Sequence, residues 1–173
     1  MSDLLTTDDL NLVSPEVFVK TLGFLFEHSP WIVEAVALYR PFADRQALYL
    51  ALMDVVTEAS HARRLELLRA HPRLADKVAQ ADGLTEESAA EQASAGLDKL
   101  SPDEFSQFHA LNAAYDRRFG FPFIICVRMT GGKAGILNAM RHRLDNNRET
   151  ELATALAEVG KIVWLRLNDV VRA

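Results

Sequence analysis

SPDEFSQFHALNAAYDRRFGFPFIICV, residues 101–127, carries both the clearest helix start in the chain and its one strand-like run. Ser101-Pro102-Asp103-Glu104 has the form of a capping box with proline at the first helical position. The serine hydroxyl can accept a first-turn N–H, and the glutamate can reach back to the serine N–H. Phe105, Phe108, Leu111, Asn112 and Tyr115 then recur at helical spacing up to Arg118, and Gly120 lies just beyond as a stop. Phe121-Pro-Phe-Ile-Ile-Cys-Val127 follows. Its proline, and the lack of a second comparable run, argue against a sheet. It reads as an extended buried segment between two helices. As a crossover it is only core, but extended backbone also offers N–H and C=O groups that a helix would use internally. A polar heterocycle could bind there.

Outward from this stretch the punctuation stays helical. Ser14-Pro15 and Ser29-Pro30 each place a cap residue before a proline at the first helical position. A pattern from about Ala47 to Ala70 carries Leu48, Leu52, Val55, Val56, Leu65 and Leu68, with a break expected near Ser60. Thr130-Gly131-Gly132 turns into the next helix. The last helix is expected over Glu149–Val171, with Leu152, Leu156, Val159, Ile162, Val163 and Leu167 inward. There is no Asn-Gly hairpin, no sustained alternation and no internal repeat. The expectation is an all-α single domain over residues 1–173, of about eight helices, with residues 1–12 set aside as a candidate flexible N-terminus.

Composition narrows the function classes. A chain of 173 residues is long enough to bury roughly 70% of its unfolded surface in one core. The formal net charge of −5 speaks against a general nucleic-acid surface, which leans on clustered Lys and Arg. A local cationic spot for a small anion stays open. The single cysteine, Cys126, cannot close an internal disulfide, which fits a reducing compartment. It lies within an apolar run as a core residue rather than a nucleophile. No signal-peptide pattern, membrane-length apolar run or peroxisomal C-terminal address is present. The expected location is cytoplasmic.

The candidate chemistry begins at His71-Pro72. A residue before proline is pushed out of the α region, so His71 is expected where a helix ends, with its imidazole free to enter a cleft. Ser88, Glu91 and Gln92 stand at i, i+3 and i+4 and share one helix face. A His facing a Glu can hold a proton near neutral pH without metal or cofactor. The plain alternatives are a helix stop and a solvated face. Glu58-Ala-Ser-His61 is half of a di-iron signature, but no second copy accompanies it, so no metal is expected. Asp116-Arg117-Arg118 and Arg141-His142-Arg143 read as charges favoured by helix C-termini. Arg166, in Val163-Trp164-Leu165-Arg166-Leu167, would be costly if buried bare. It reads either as a snorkelling edge residue or as a clamp for a carboxylate or carbonyl.

The segments RAHPRLADKV (69–78), LTEESAAEQASAGLDKLS (84–101), LNAAYDRRFGFPFIICV (111–127), ILNAMRHRLDNNRETELATALAEVGKIVWLRL (136–167) and FLFEHSPWIVEAVALYRPF (24–42) together resemble one family. It is the 2-oxo-4-hydroxy-4-carboxy-5-ureidoimidazoline (OHCU) decarboxylases of urate degradation, and the likeness covers nearly the whole chain in the family's order. The resemblance implies that family's all-α fold and cofactor-independent decarboxylation of OHCU to (S)-allantoin. By the same match His71 is the proton donor and Glu91 its partner. Ser88, Gln92 and Arg166 would hold the substrate, with Pro72 and the backbone of Phe123, Ile124, Ile125, Cys126 and Val127 as its wall. It also implies a small-molecule partner and, as in many members, a homodimer. Two rivals stand beside it: a non-catalytic helical interaction module, and an enzyme acting on another ureide.

Overall fold

A computed structural model describes residues 4–76 and 83–173. Residues 1–3 of the N-terminal stretch, and 77–78 of the 69–78 segment, lie outside them. Among the described residues there are nine α-helices and no strand. The all-α expectation of about eight helices holds. One of them, α1, Thr7–Leu12, lies inside the stretch set aside as a candidate flexible N-terminus. Thr6 and Asp9 cap it reciprocally, with Asp9 N–H donating to Thr6 Oγ1 at 3.0 Å and Thr6 N–H to Asp9 Oδ2 at 2.7 Å.

The chain divides into two compact units. The first takes residues up to Leu67 and from Gly160 onward. It holds α1, α2 (Pro15–Leu22), α3 (Trp31–Ala37), α4 (Arg45–Glu58), most of α5 (His61–Arg69) and the end of α9 (Arg148–Val170). Ser14 caps α2 as expected, accepting from Val17 N–H. Ser29 does not cap α3: its hydroxyl donates to Glu27 O at 2.8 Å, and Pro30 itself occupies the cap position. The break near Ser60 is present between α4 and α5. Gly160 allows a close approach, since a Cβ there would stand 3.1 Å from Tyr49 Oη and 3.2 Å from Met53 Cε. Tyr49 Oη donates to the Gly160 carbonyl at 3.0 Å.

The second unit, Leu68–Val159, holds the end of α5, α6 (Glu86–Ser94), α7 (Pro102–Phe119), α8 (Gly132–Arg143) and the start of α9. The Ser101 capping box forms with both bonds in place, and Lys133 of α8 pairs with Glu104 at 3.0 Å. The Ser101 N–H and Lys133 together hold the Glu104 carboxyl below its usual range. Gly120 ends α7 at φ 76, the left-handed geometry that disfavours a side chain. Beyond it residues 121–126 belong to neither helix nor sheet, with Cys126 extended, and Val127–Met129 form a 3₁₀ turn before α8.

The 23 residues of α9 span about 35 Å at helical rise. Its buried line is Glu151, Ala155, Val159, Val163, Arg166 and Leu167, whereas Leu152, Leu156 and Ile162 are only half-buried. Two charged residues thus sit where aliphatic ones were expected. Each is tolerated because it meets an opposite charge.

Candidate active site

α5 ends at Arg69, and the His71 N–H closes a last turn onto Leu68 O at 3.2 Å. Pro72 cannot continue the helix, so the chain turns out through Arg73, Leu74 and Ala75. Ala75 adopts φ 56, a conformation rare outside glycine that costs about 1–2 kcal/mol. Four bonds hold this corner against the rest of its unit. Arg69 Nε donates to Gly120 O at 3.0 Å, and Arg73 pairs with Asp116 of α7. Gln92 Oε1 accepts from Ala75 N–H at 3.1 Å. Asn112 Nδ2 donates to Leu74 O at 2.8 Å. A carbonyl has no proton to give, so Asn112 must turn its NH₂ toward Leu74. His71, Pro72, Asp116 and Phe121 line a cavity of about 330 Å³.

Thr85 caps α6 by accepting from Ser88 N–H at 3.2 Å, with Glu86 and Glu87 in the favourable first turn. Ser88 and Gln92 are buried and Glu91 half-buried, so the expected shared face points inward. α6 packs against the Val127–Met129 turn, next to the extended segment. Burial pushes the Cys126 thiol up, and the charges of Glu158 and Glu91 push it the same way. Such a raised thiol suits a core residue and not a nucleophile. α6 thus meets the His71 corner through Gln92 and the extended wall through its packing on the turn.

A buried charge network fixes that wall. Phe121 and Phe123 to Val127 are all buried, with Tyr115 against Phe123 at 5.3 Å between ring centroids. Arg143 donates to Ile124 O at 2.6 Å and to Glu151 Oε1 at 2.6 Å, with its guanidinium 4.3 Å from the Phe123 centroid. Glu151, 0% exposed, also accepts from the Tyr115 hydroxyl and, at 3.0 Å, from Asn146 Nδ2. Burial first, then the Glu151 carboxylate, holds the Tyr115 phenol far above its usual range and keeps it a donor. Arg143, read from sequence as a helix-end charge, does stand in the last turn of α8, and it is a buried strut as well. Glu151 was missed altogether, although its spacing with Ala155 and Val159 along one helix line carried the signal.

Arg166 lies in the first unit and is not bare. It is 3% exposed. Its Nη1 donates to Phe24 O at 2.9 Å, and its Nη2 to Glu27 Oε1 at 2.7 Å. Glu27 is as deeply buried. A carboxylate in the run Phe24-Leu25-Phe26-Glu27 signals a cationic partner, since a lone charge has no place in a core. Glu58 and His61 fall on separate helices, so the one-helix face that a Glu-x-x-His site needs is not there. Among the described residues no group of three or more His, Cys, Asp or Glu is placed to hold a metal ion.

This architecture is shared with known proteins. The sequence model of the OHCU decarboxylase family matches residues 11–168. OHCU decarboxylases of Halalkalicoccus jeotgali and Haloferax volcanii are each 42% identical over 165 residues, which is 95% of this chain and 91% and 95% of those proteins. A uric acid degradation bifunctional protein of Bacillus subtilis is 40% identical over 97% of this chain, which covers only 33% of that longer protein. Among solved structures, an (S)-allantoin synthase superposes with a TM-score of 0.77 at 30% identity, over 96% of this chain and 54% of that one. The chain thus spans about half of that synthase. An OHCU decarboxylase crystallised with (S)-allantoin shares the fold, with a TM-score of 0.65 at 24% identity over 82% of this chain and 91% of that one. With a family match across nearly its whole length and close relatives matched almost end to end, the chain belongs to the OHCU decarboxylase family.

Proposed function

We infer that this protein decarboxylates OHCU to (S)-allantoin in urate degradation. The observation that carries the reading is the Gln92–Ala75 bond. It seats the helix bearing Ser88 and Glu91 directly on the corner bearing His71, while the same helix packs on the turn that ends the extended wall. Two isolated motifs of the sequence are thereby parts of one unit. A plain interaction module would have no need to join them.

The substrate's carboxylate sits on a carbon next to a C=N bond. When the C–C bond to the carboxylate breaks, its electron pair passes into the ring, CO₂ departs, and one proton is returned to a ring carbon. The substrate is its own electron sink, so the work of pyridoxal phosphate or thiamine is not required. What remains for the protein is to orient the ring and deliver that proton to one face. In this reading His71 supplies the proton and Glu91 is its partner. Ser88 and Gln92 hold the polar edges, against a wall of Pro72 and the Phe123–Val127 backbone, and the family match gives Arg166 a substrate-binding role. Gln92 already spends its oxygen on Ala75, so its NH₂ is the end left to meet substrate.

The test is CO₂ release from OHCU made in situ from urate by urate oxidase and hydroxyisourate hydrolase. One CO₂ per OHCU, formed well above the spontaneous rate, is expected; release at the no-enzyme rate contradicts the reading. Prolonged dialysis against a strong chelator is expected to leave turnover unchanged. Loss of activity restored by one divalent ion would bring a metal into the mechanism. The reading carries with it a small-molecule partner without nucleic acid, a homodimer and a cytoplasmic location. No helix among the described residues is long and apolar enough to cross a membrane.

A further inference from the structure

The peptide between Leu74 and Ala75 is gripped on both edges by side-chain amides from two helices. Its carbonyl accepts from Asn112 Nδ2 of α7 at 2.8 Å, and its N–H donates to Gln92 Oε1 of α6 at 3.1 Å. In a trans peptide these groups point in opposite directions, so the two bonds fix the rotation of the plane as well as its position. Asn112 and Gln92 are 6% and 4% exposed, so water competes little for either bond. The clamped peptide leads into Ala75 at φ 56, a conformation that a free loop would leave. The same corner starts at His71, and the Gln92 arm of the clamp stands next to Glu91 in the sequence.

We propose that Asn112 is a positioning residue for the decarboxylation, holding the 71–75 corner so that His71 is presented to the ring at a fixed distance from Glu91. The proposal rests on the decarboxylase reading of this site. Asn112 acts through His71 and needs no contact with substrate. Its Oδ1 is buried with no partner among the described residues, so among them the donor bond to Leu74 is the work its amide performs. A donor displaced by a fraction of an ångström loses much of its advantage.

Asn112→Ala is expected to lower kcat on OHCU about tenfold or more and to change KM by much less, because Ser88 and Gln92 keep their places and of the proposed ring contacts only Pro72 shares the corner. In the His71→Asn background the same substitution is expected to cost nothing further, since no donor remains to be placed. A residue that only stabilised the fold would lower activity equally in both backgrounds. An unchanged kcat in Asn112→Ala, or equal losses in the two backgrounds, overturns the proposal. Should alanine not fold, Asn112→Ser carries the same comparison. Hydrogen exchange in the unaltered protein tests the clamp without any substitution. The Ala75 amide is expected to be protected like a helical one, and exchange at a free-loop rate would overturn the proposal. An unaltered protein that does not accelerate OHCU decay at all would defeat the decarboxylase reading itself, which separates that failure from this one.

Discussion

His71→Asn is expected to lower turnover of OHCU by roughly a hundredfold or more, the usual scale for losing a general acid or base. Asparagine keeps much of the size and hydrogen-bonding capacity of histidine but cannot exchange a proton near neutral pH. The corner around it is held by Arg69, Arg73, Gln92 and Asn112, and none of those bonds uses the imidazole. Those four bonds remain in the variant, which is expected to stay folded and to melt in one cooperative transition. Steady-state kinetics and a thermal melt read the two halves of the expectation. Full activity would remove His71 from the mechanism, and a collapsed fold would make it a structural residue.

Glu151→Leu is expected to give the largest loss of stability. It removes the acceptor for Arg143, Tyr115 and Asn146 together and leaves the Arg143 guanidinium, 8% exposed, without its counter-charge. Stranding one partner of a buried pair costs about 3–5 kcal/mol, a large share of the roughly 5–15 kcal/mol that a domain has in total. Denaturant unfolding should show a clearly lower midpoint. Adding Arg143→Met should recover much of the loss, because a buried pair replaced as a whole by apolar residues is often neutral. A midpoint unmoved by Glu151→Leu would mean that the network does not hold the wall. Activity should fall with stability, since Arg143 also fixes the Ile124 carbonyl.

The helix boundaries were readable because a cap is settled within a few residues. Ser14, Ser101 and Gly120 each act where their neighbours suggested. Ser29 had the same form, but the carbonyl of Glu27 drew its hydroxyl away. The crossover at 121–126 was readable from its proline and its isolation, although Val127 already turns into a 3₁₀ helix, and the shared face of Ser88, Glu91 and Gln92 was readable from their spacing. What stayed hidden was pairing at a distance. Arg166 meets Glu27 across 139 positions of sequence, and no local pattern links the two. Asn112 sat in plain view on an apolar stripe, yet its reason is a carbonyl 38 residues away. The inward line of α9 was right at Val159, Val163 and Leu167, and misplaced at Leu152, Leu156 and Ile162 for the same cause. Hydropathy put leucines inside, but the burial of Glu151 and Arg166 depends on partners from elsewhere in the fold.

A fixed proton donor implies control of chirality as well as rate. OHCU decays spontaneously in water, and protonation of the free intermediate from either face gives racemic allantoin. A ring held against the extended wall, with His71 on one side, can be protonated from one face only. The measurement is circular dichroism of the allantoin formed from urate by urate oxidase, hydroxyisourate hydrolase and this protein, set beside the same mixture without it. Optically active (S)-allantoin with the protein, and a racemic product without it, is the predicted result. Racemic allantoin in both mixtures would contradict the account.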